Sequence, residues 1–125
     1  MSFIDDVLRT ENKDFDGMKG RLNSTELVRL LHGVIGMVTE SAEAADMLKK
    51  HIFYGKPLDK VNLIEELGDL MYYIALTCSE LGVDFEKVQA INTAKLEARY
   101  GKVFTETAAL NRDLDTERSI LEKKD

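Results

Sequence analysis

Residues 64–70 read IEELGDL, setting Glu65, Glu66 and Asp69 against Ile64, Leu67 and Leu70, with Gly68 between Glu66 and Asp69. A solvated helix face would explain one of these acids. The leucines, however, belong to a longer stripe of Leu63, Leu67, Leu70, Ile74 and Leu81 that runs at helical spacing until Gly82. Such spacing predicts a helix with one apolar side. At 100° per residue, Glu66 and Asp69 lie roughly 60° and 120° from the Leu63 direction, beside the stripe and not opposite it. Glu65 points further outward, and Asn62 with Glu65 reads as a capping box. Gly68 costs about 1 kcal/mol relative to alanine in mid-helix, which is explained if a helix or a ligand approaches closely beside the acids.

Upstream, Asn23 with Glu26 reads as another capping box. From there Leu27, Leu31, Val34, Val38, Ala42, Ala45 and Leu48 recur at three or four residues, predicting a long amphipathic helix to about Lys50. The segment VTESAEAAD (38–46) puts Glu40 and Glu43 at i and i+3, on a face continuing back through Gly36, Gly33 and His32. HIFYGKPLD (51–59) is a turn, because Gly55 can take positive φ and Pro57 disfavours helix before it. Asp84 can cap a third helix with Phe85, Val88, Ile91 and Leu96 as its apolar positions, ending at Gly101. Residues 1–22 suggest one short turn around Phe3–Leu8. The tail LNRDLDTERSILEKK reads as a helical docking arm of alternating charge.

This pattern predicts one all-α domain over residues 1–125, an antiparallel helical bundle with a core at about 24–104 and a C-terminal arm at 105–125. Two long helices and a third enclose a thin core, so the bundle is expected to be completed by oligomerisation as a homodimer or homotetramer. Net charge is −6 with no basic run, which argues against a nucleic-acid partner. The most apolar stretch, LVRLLHGVIGMV, is interrupted by Arg29 and His32 and too short for a membrane span. A lone Cys78 and an opening MSFIDDVLRT without an apolar core make the cytoplasm the expected location.

If the two long helices run antiparallel, Glu40 and Glu43 face Glu66 and Asp69 across a groove. Four converging carboxylates need protons or a cation between them. All-oxygen ligation suits Mg²⁺ or Mn²⁺, which keep several waters and bridge to phosphate oxygens. Two other readings compete. A di-iron carboxylate bundle requires Glu-x-x-His pairs, and neither His32 nor His51 has a glutamate three residues before it. A non-catalytic helical adaptor with solvated acidic faces would tolerate loss of Glu43 or Asp69.

Glu40-x-x-Glu43, twenty-two intervening residues and Glu66-x-x-Asp69 resemble the E-x-x-E…E-x-x-D signature of MazG-type all-α nucleoside triphosphate pyrophosphohydrolases. The text around it, LLHGVIGMVTESAEAAD, HIFYGKPLDKVNLIEELGDLMYYIAL and NTAKLEARYGKVF, is similar to a small single-domain branch of that family over about Leu27–Phe104. The first motif is a lone TESAE, where many members carry a doubled glutamate. The resemblance implies hydrolysis of an NTP or dNTP to the monophosphate and pyrophosphate, with two or more Mg²⁺ or Mn²⁺ ions per site. It implies Glu40, Glu43, Glu66 and Asp69 as metal ligands, and Glu40 is the expected general base for a metal-activated water.

Anionic phosphates also need cations. Asn92, Lys95 and Arg99 share one face of the third helix with Tyr100 beside them, and the family's N-x-x-K-x-x-x-R-Y run favours phosphate binding there over a plain solvated face. Lys56 in the turn is a lesser candidate. His32 lies about 12 Å before Glu40 along its helix, within reach of a nucleoside lying beyond the phosphates, with Gly33 and Gly36 leaving room for a flat ring. Met37, Met47, Met71 and Cys78 read as core.

Overall fold

The computed structural model describes residues 1–123; Lys124 and Asp125, the end of the expected arm, lie outside them. Among the described residues every regular element is an α-helix: α1 (Phe3–Thr10), α2 (Phe15–Leu22), α3 (Thr25–Tyr54), α4 (Lys60–Leu81), α5 (Phe85–Tyr100), α6 (Glu106–Leu110) and α7 (Leu114–Glu122). The all-α expectation holds. The chain divides into two compact units, one through Glu80 and one from Leu81 onward.

Helix starts differ from the expected caps for a local reason. Asn23 does not open α3, because its backbone N–H closes α2 onto the Lys19 and Gly20 carbonyls. Ser24 takes the cap instead, its hydroxyl accepting from the Leu27 N–H at 3.3 Å. Asp59, not Asn62, caps α4, its carboxylate accepting from the Asn62 N–H at 3.0 Å. The N-terminal region holds two helices and not a single turn. Helix α3 continues past Lys50 to Tyr54, where Gly55 adopts φ 69°, the left-handed conformation glycine takes without strain. The Lys56 carbonyl then contacts His51 Nδ1 at 2.7 Å, tightening the corner.

Helices α3 and α4 form an antiparallel pair about that corner. Arg29–Glu80 is an ion pair at the open end, Gly36 meets Tyr73 near the middle, and Asn62 donates to Met47 Sδ near the corner. In each pair the two residue numbers add to the same total, so one register holds along the seam.

The α3 stripe lies elsewhere than its hydrophobicity suggested. Leu27, Leu31, Val34, Val38 and Leu48 are all exposed, as are Leu67 and Met71 on α4, which corrects the core reading of Met71. The side of α3 that meets α4 carries Gly33 and Gly36, both buried. Both helices therefore carry apolar residues on the side away from the seam as well.

In the second unit, α5 packs with α6 and α7. Its anchor is Glu117, 4% exposed, which accepts from Arg99 Nε at 2.7 Å and Arg99 Nη2 at 3.0 Å and pairs with Arg112 Nη2 at 2.5 Å. Arg99 first and Arg112 second hold the Glu117 carboxyl down to about 2, against the opposing effect of burial. A carboxyl depressed from 4.5 binds fewer protons folded than unfolded, so its contribution is complete above about pH 4.5 and fades as pH falls toward 2. Glu117→Gln is therefore expected to lower the urea midpoint at pH 6, with the gap to wild type narrowing by about pH 3. An unchanged gap at the lower pH would show that charge is not what the pair contributes.

Candidate active site

Glu40 and Glu43 come from one turn of α3 and Glu66 from the facing turn of α4. One carboxylate oxygen from each lies within 4.8 Å of the other two. Glu66 is buried at 8% exposure, Glu40 is half-buried and Glu43 exposed. Oxygen Oε2 of Glu66 is buried without a hydrogen-bond partner. Burial first, then Glu43 and Glu40, push the Glu66 carboxyl up to about 7. A carboxylate sunk among like charges with one oxygen unserved is costly unless a proton or cation joins it. Three carboxylate oxygens, one from each glutamate and all within 4.8 Å of one another, fit a hard divalent ion.

The fourth expected ligand stands apart. Asp69 is exposed and outside this 4.8 Å group. Its direction, further round α4 from the seam than Glu66, accounts for the difference.

The seam beside the cluster is built by glycine. A Cβ on Gly36 would lie 2.2 Å from the Tyr73 ring, and one on Gly33 2.2 Å from Thr77 Oγ1. The space expected to receive a flat ligand ring beside Gly36 is thus filled by Tyr73. His32 is exposed and meets Tyr73 edge-on with ring centroids 5.6 Å apart. Gly68 serves no such contact, since nothing lies within 4 Å of a Cβ built there.

On α5, Asn92 is exposed and Lys95 half-buried. Arg99 is 13% exposed and committed along one edge to Glu117. Its guanidinium also lies 5.5 Å from the Tyr100 ring centroid, and Tyr100 packs on Phe104 at 5.2 Å. Glu117 escaped the sequence reading, since the alternating charges of the tail do not mark which acid is buried. A cavity of about 430 Å³ between α5 and α7 is lined by Ala90, Ile91, Ala94 and Ile120 and contains none of the candidate residues. Another, of about 240 Å³, includes Tyr100 and Phe104.

A family model described as the MazG nucleotide pyrophosphohydrolase domain matches residues 31–104, a span that contains the carboxylate cluster and the α5 run. No curated protein and no solved structure matches the chain.

Proposed function

This chain belongs to the MazG nucleotide pyrophosphohydrolase family, and from that premise we propose that it hydrolyses an NTP or dNTP to the monophosphate and pyrophosphate, dependent on Mg²⁺ or Mn²⁺. The observation that carries the reading is the buried, unpartnered Glu66 oxygen within a three-glutamate group. Glu40, Glu43 and Glu66 would hold the metal, two or more ions per site, with Asp69 assigned to it by motif position. A bound divalent ion supplies charge neutralisation for the phosphates and lowers the pKa of a bound water. Glu40, half-buried within the group, takes the proton from the attacking water. The phosphate contacts assigned to Asn92, Lys95, Arg99 and Tyr100 rest on motif position and on the charge of that helix face. His32 is the candidate nucleoside contact, as an exposed ring already edge-on to Tyr73.

The test is pyrophosphate and monophosphate release from a panel of NTPs and dNTPs with Mg²⁺, with Mn²⁺ and with excess EDTA. Both products are expected with metal and neither with EDTA. Intact nucleotides across the whole panel with either metal would end the hydrolase reading and favour a non-catalytic adaptor.

The protein is a homo-oligomer in this reading, acting in the cytoplasm. No helix among the described residues is long and apolar enough to cross a membrane. Support for the oligomer comes from the outward sides of α3 and α4. Val28, Val34, Ile35 and Val38 on one, and Val61, Ile64, Leu67, Met71 and Tyr72 on the other, are half or more exposed. At on the order of 80–100 Å² apiece, these side chains approach the roughly 800 Å² that one partner contributes to a standard interface. Gly68 sits among the α4 residues with open space before it, where a second copy's helix could approach closely. Met71→Glu is expected to shift a dimer or tetramer to monomer in light scattering. A wild type that is already monomeric at about 10 µM would overturn the oligomer.

A further inference from the structure

Helix α1 is fully capped yet buries none of its residues. The Ser2 hydroxyl accepts from the Asp5 N–H at 3.2 Å, and the Asp5 carboxylate accepts from the Ser2 N–H at 2.8 Å. Arg9 pairs with Asp6. Phe3, Ile4, Val7 and Leu8 recur at helical spacing and form one apolar face. All four are exposed, Phe3 at 82%. A helix of eight residues is marginal in water on its own, so this face calls for a cover.

The corner between α3 and α4 offers a matching surface. Ile52, Phe53 and Tyr54 at the end of α3 and Val61 at the start of α4 are exposed, Phe53 at 73%. Residues 49–60 carry Lys49, Lys50, Lys56 and Lys60 against Asp59 alone, in a chain of net charge −6. Lys50 by its hydrogen bond, then Lys49 and Lys56 by their charge, hold Asp46 below the usual carboxylate range, so the three ammonium groups share one neighbourhood. Lys49, Lys56 and Lys60 make no ion pair among the described residues. Residues 1–16 have the opposite balance, five acids against Arg9 and Lys13. Apolar side chains and charge are thus complementary between α1 and the corner.

The corner of the same chain is out of reach. From Thr10 to Ser24 the chain spans about 30 Å at full stretch with α2 kept helical, whereas Thr25 to Phe53 covers about 42 Å along α3. A second copy removes the difficulty. In a two-fold pairing of the outward faces with the helix pairs antiparallel, the open end of each copy lies beside the other's corner. Each arm then starts next to its seat.

We infer that α1 docks on the α3–α4 corner of a second copy, its apolar face on Ile52 and Phe53 and its acids toward Lys49, Lys56 and Lys60, reciprocally in the two copies. At on the order of 100 Å² apiece, the four apolar side chains supply about half of the roughly 800 Å² that one partner contributes to a standard interface. The corner that each copy offers in return supplies a similar area. This rests on the homo-oligomer of the proposed function and not on its chemistry.

The test mixes two full-length variants, Ile4→Cys and Phe53→Cys, and treats them with a short thiol cross-linker before mass spectrometry. Native Cys78 is buried, and wild type supplies its background. A covalent dimer joining position 4 of one copy to position 53 of the other is expected in the mixture. Ile4→Glu combined with Val7→Glu, both on an exposed face, should leave helix content unchanged and raise the dissociation constant in sedimentation about tenfold or more. Lys49→Glu should weaken association as well. A chain carrying both cysteine substitutions that cross-links only within itself would overturn the second copy as the occupant. A cross-link from Ile4→Cys to a Val38→Cys copy, with none to Phe53→Cys, would seat the arm on the outward α3 face and overturn the corner. If wild type sediments as a monomer, the oligomer reading fails and the inference falls with it. An oligomeric wild type that forms no cross-link and ignores the α1 substitutions isolates the inference as the error.

Discussion

Glu66→Gln is expected to reduce kcat/KM by about 10³-fold or more while leaving the metal-free protein at least as stable as wild type. The two halves of this expectation have one cause. Without a cation, Glu66 is a buried carboxyl beside Glu43 and Glu40, raised to about 7 by burial and by those neighbours. Removing its charge relieves that crowding, and a neutral amide of the same shape costs the fold little. If Glu66 holds the ion proposed above, losing its carboxylate weakens both metal binding and the charge stabilisation that the metal would provide. Mg²⁺ is expected to raise the wild-type melting temperature, and that rise should shrink or vanish in the variant. Two results would sink the idea: wild-type turnover, or a large drop in the metal-free melting temperature with Mg²⁺ stabilisation intact.

Gly36→Ala should act through geometry instead of charge. The added methyl would sit 2.2 Å from the Tyr73 ring, and that ring is already held edge-on between His32 at 5.6 Å and Tyr72 at 5.2 Å. Overpacking of this kind costs about 1–3 kcal/mol, and the severity of the overlap puts this case near the upper figure. Helix propensity returns about 1 kcal/mol, leaving a net loss of about 2 kcal/mol and a fall in melting temperature of roughly 5–10 °C. Glu40 is one helical turn beyond Gly36, so spreading the seam also moves it from Glu66, and a displacement near 1 Å can cost about 10²-fold in rate. Gly20→Ala in α2 is the control, since a Cβ there would meet nothing within 4 Å. A Gly36→Ala protein with wild-type melting temperature and rate would show that the seam is not as tight as described.

Much of this was legible in the sequence. Acid pairs at i and i+3 on two antiparallel helices bring Glu40, Glu43 and Glu66 into one group, and helix ends at Gly55, Gly82 and Gly101 coincide with positive φ. Asp69 was harder, because its angle beside the stripe was wide enough to leave it exposed. The Leu31, Val34 and Val38 periodicity marked the helix without marking its contact with α4. A helical period reports that a face avoids water, without saying which chain covers it. The face toward α4 was marked instead by Gly33 and Gly36, where backbone proximity substitutes for side-chain burial. The capping error at Asn23 arose because adjacent Asn23 and Ser24 are both good caps, and only the end of α2 decides between them. The Arg99–Glu117 pair spans 18 residues across a loop and a short helix, and no local pattern announces it.

The constant register of α3 against α4 also bears on how quickly the chain finds its structure. Contacts along the seam run from a sequence separation of 15 at Asn62–Met47 to 51 at Arg29–Glu80, each nested inside the next. Starting from the Gly55 corner, every new contact closes only a short additional loop, so the entropy of closure is met in small instalments. The three glutamates come together partway along this zipper. Their mutual repulsion is a barrier in the path of closure, and contacts nearer the corner must already hold when it is crossed. A divalent ion held as proposed above would lower that barrier and speed the step, so it would act on the folding rate as well as on the folded chain.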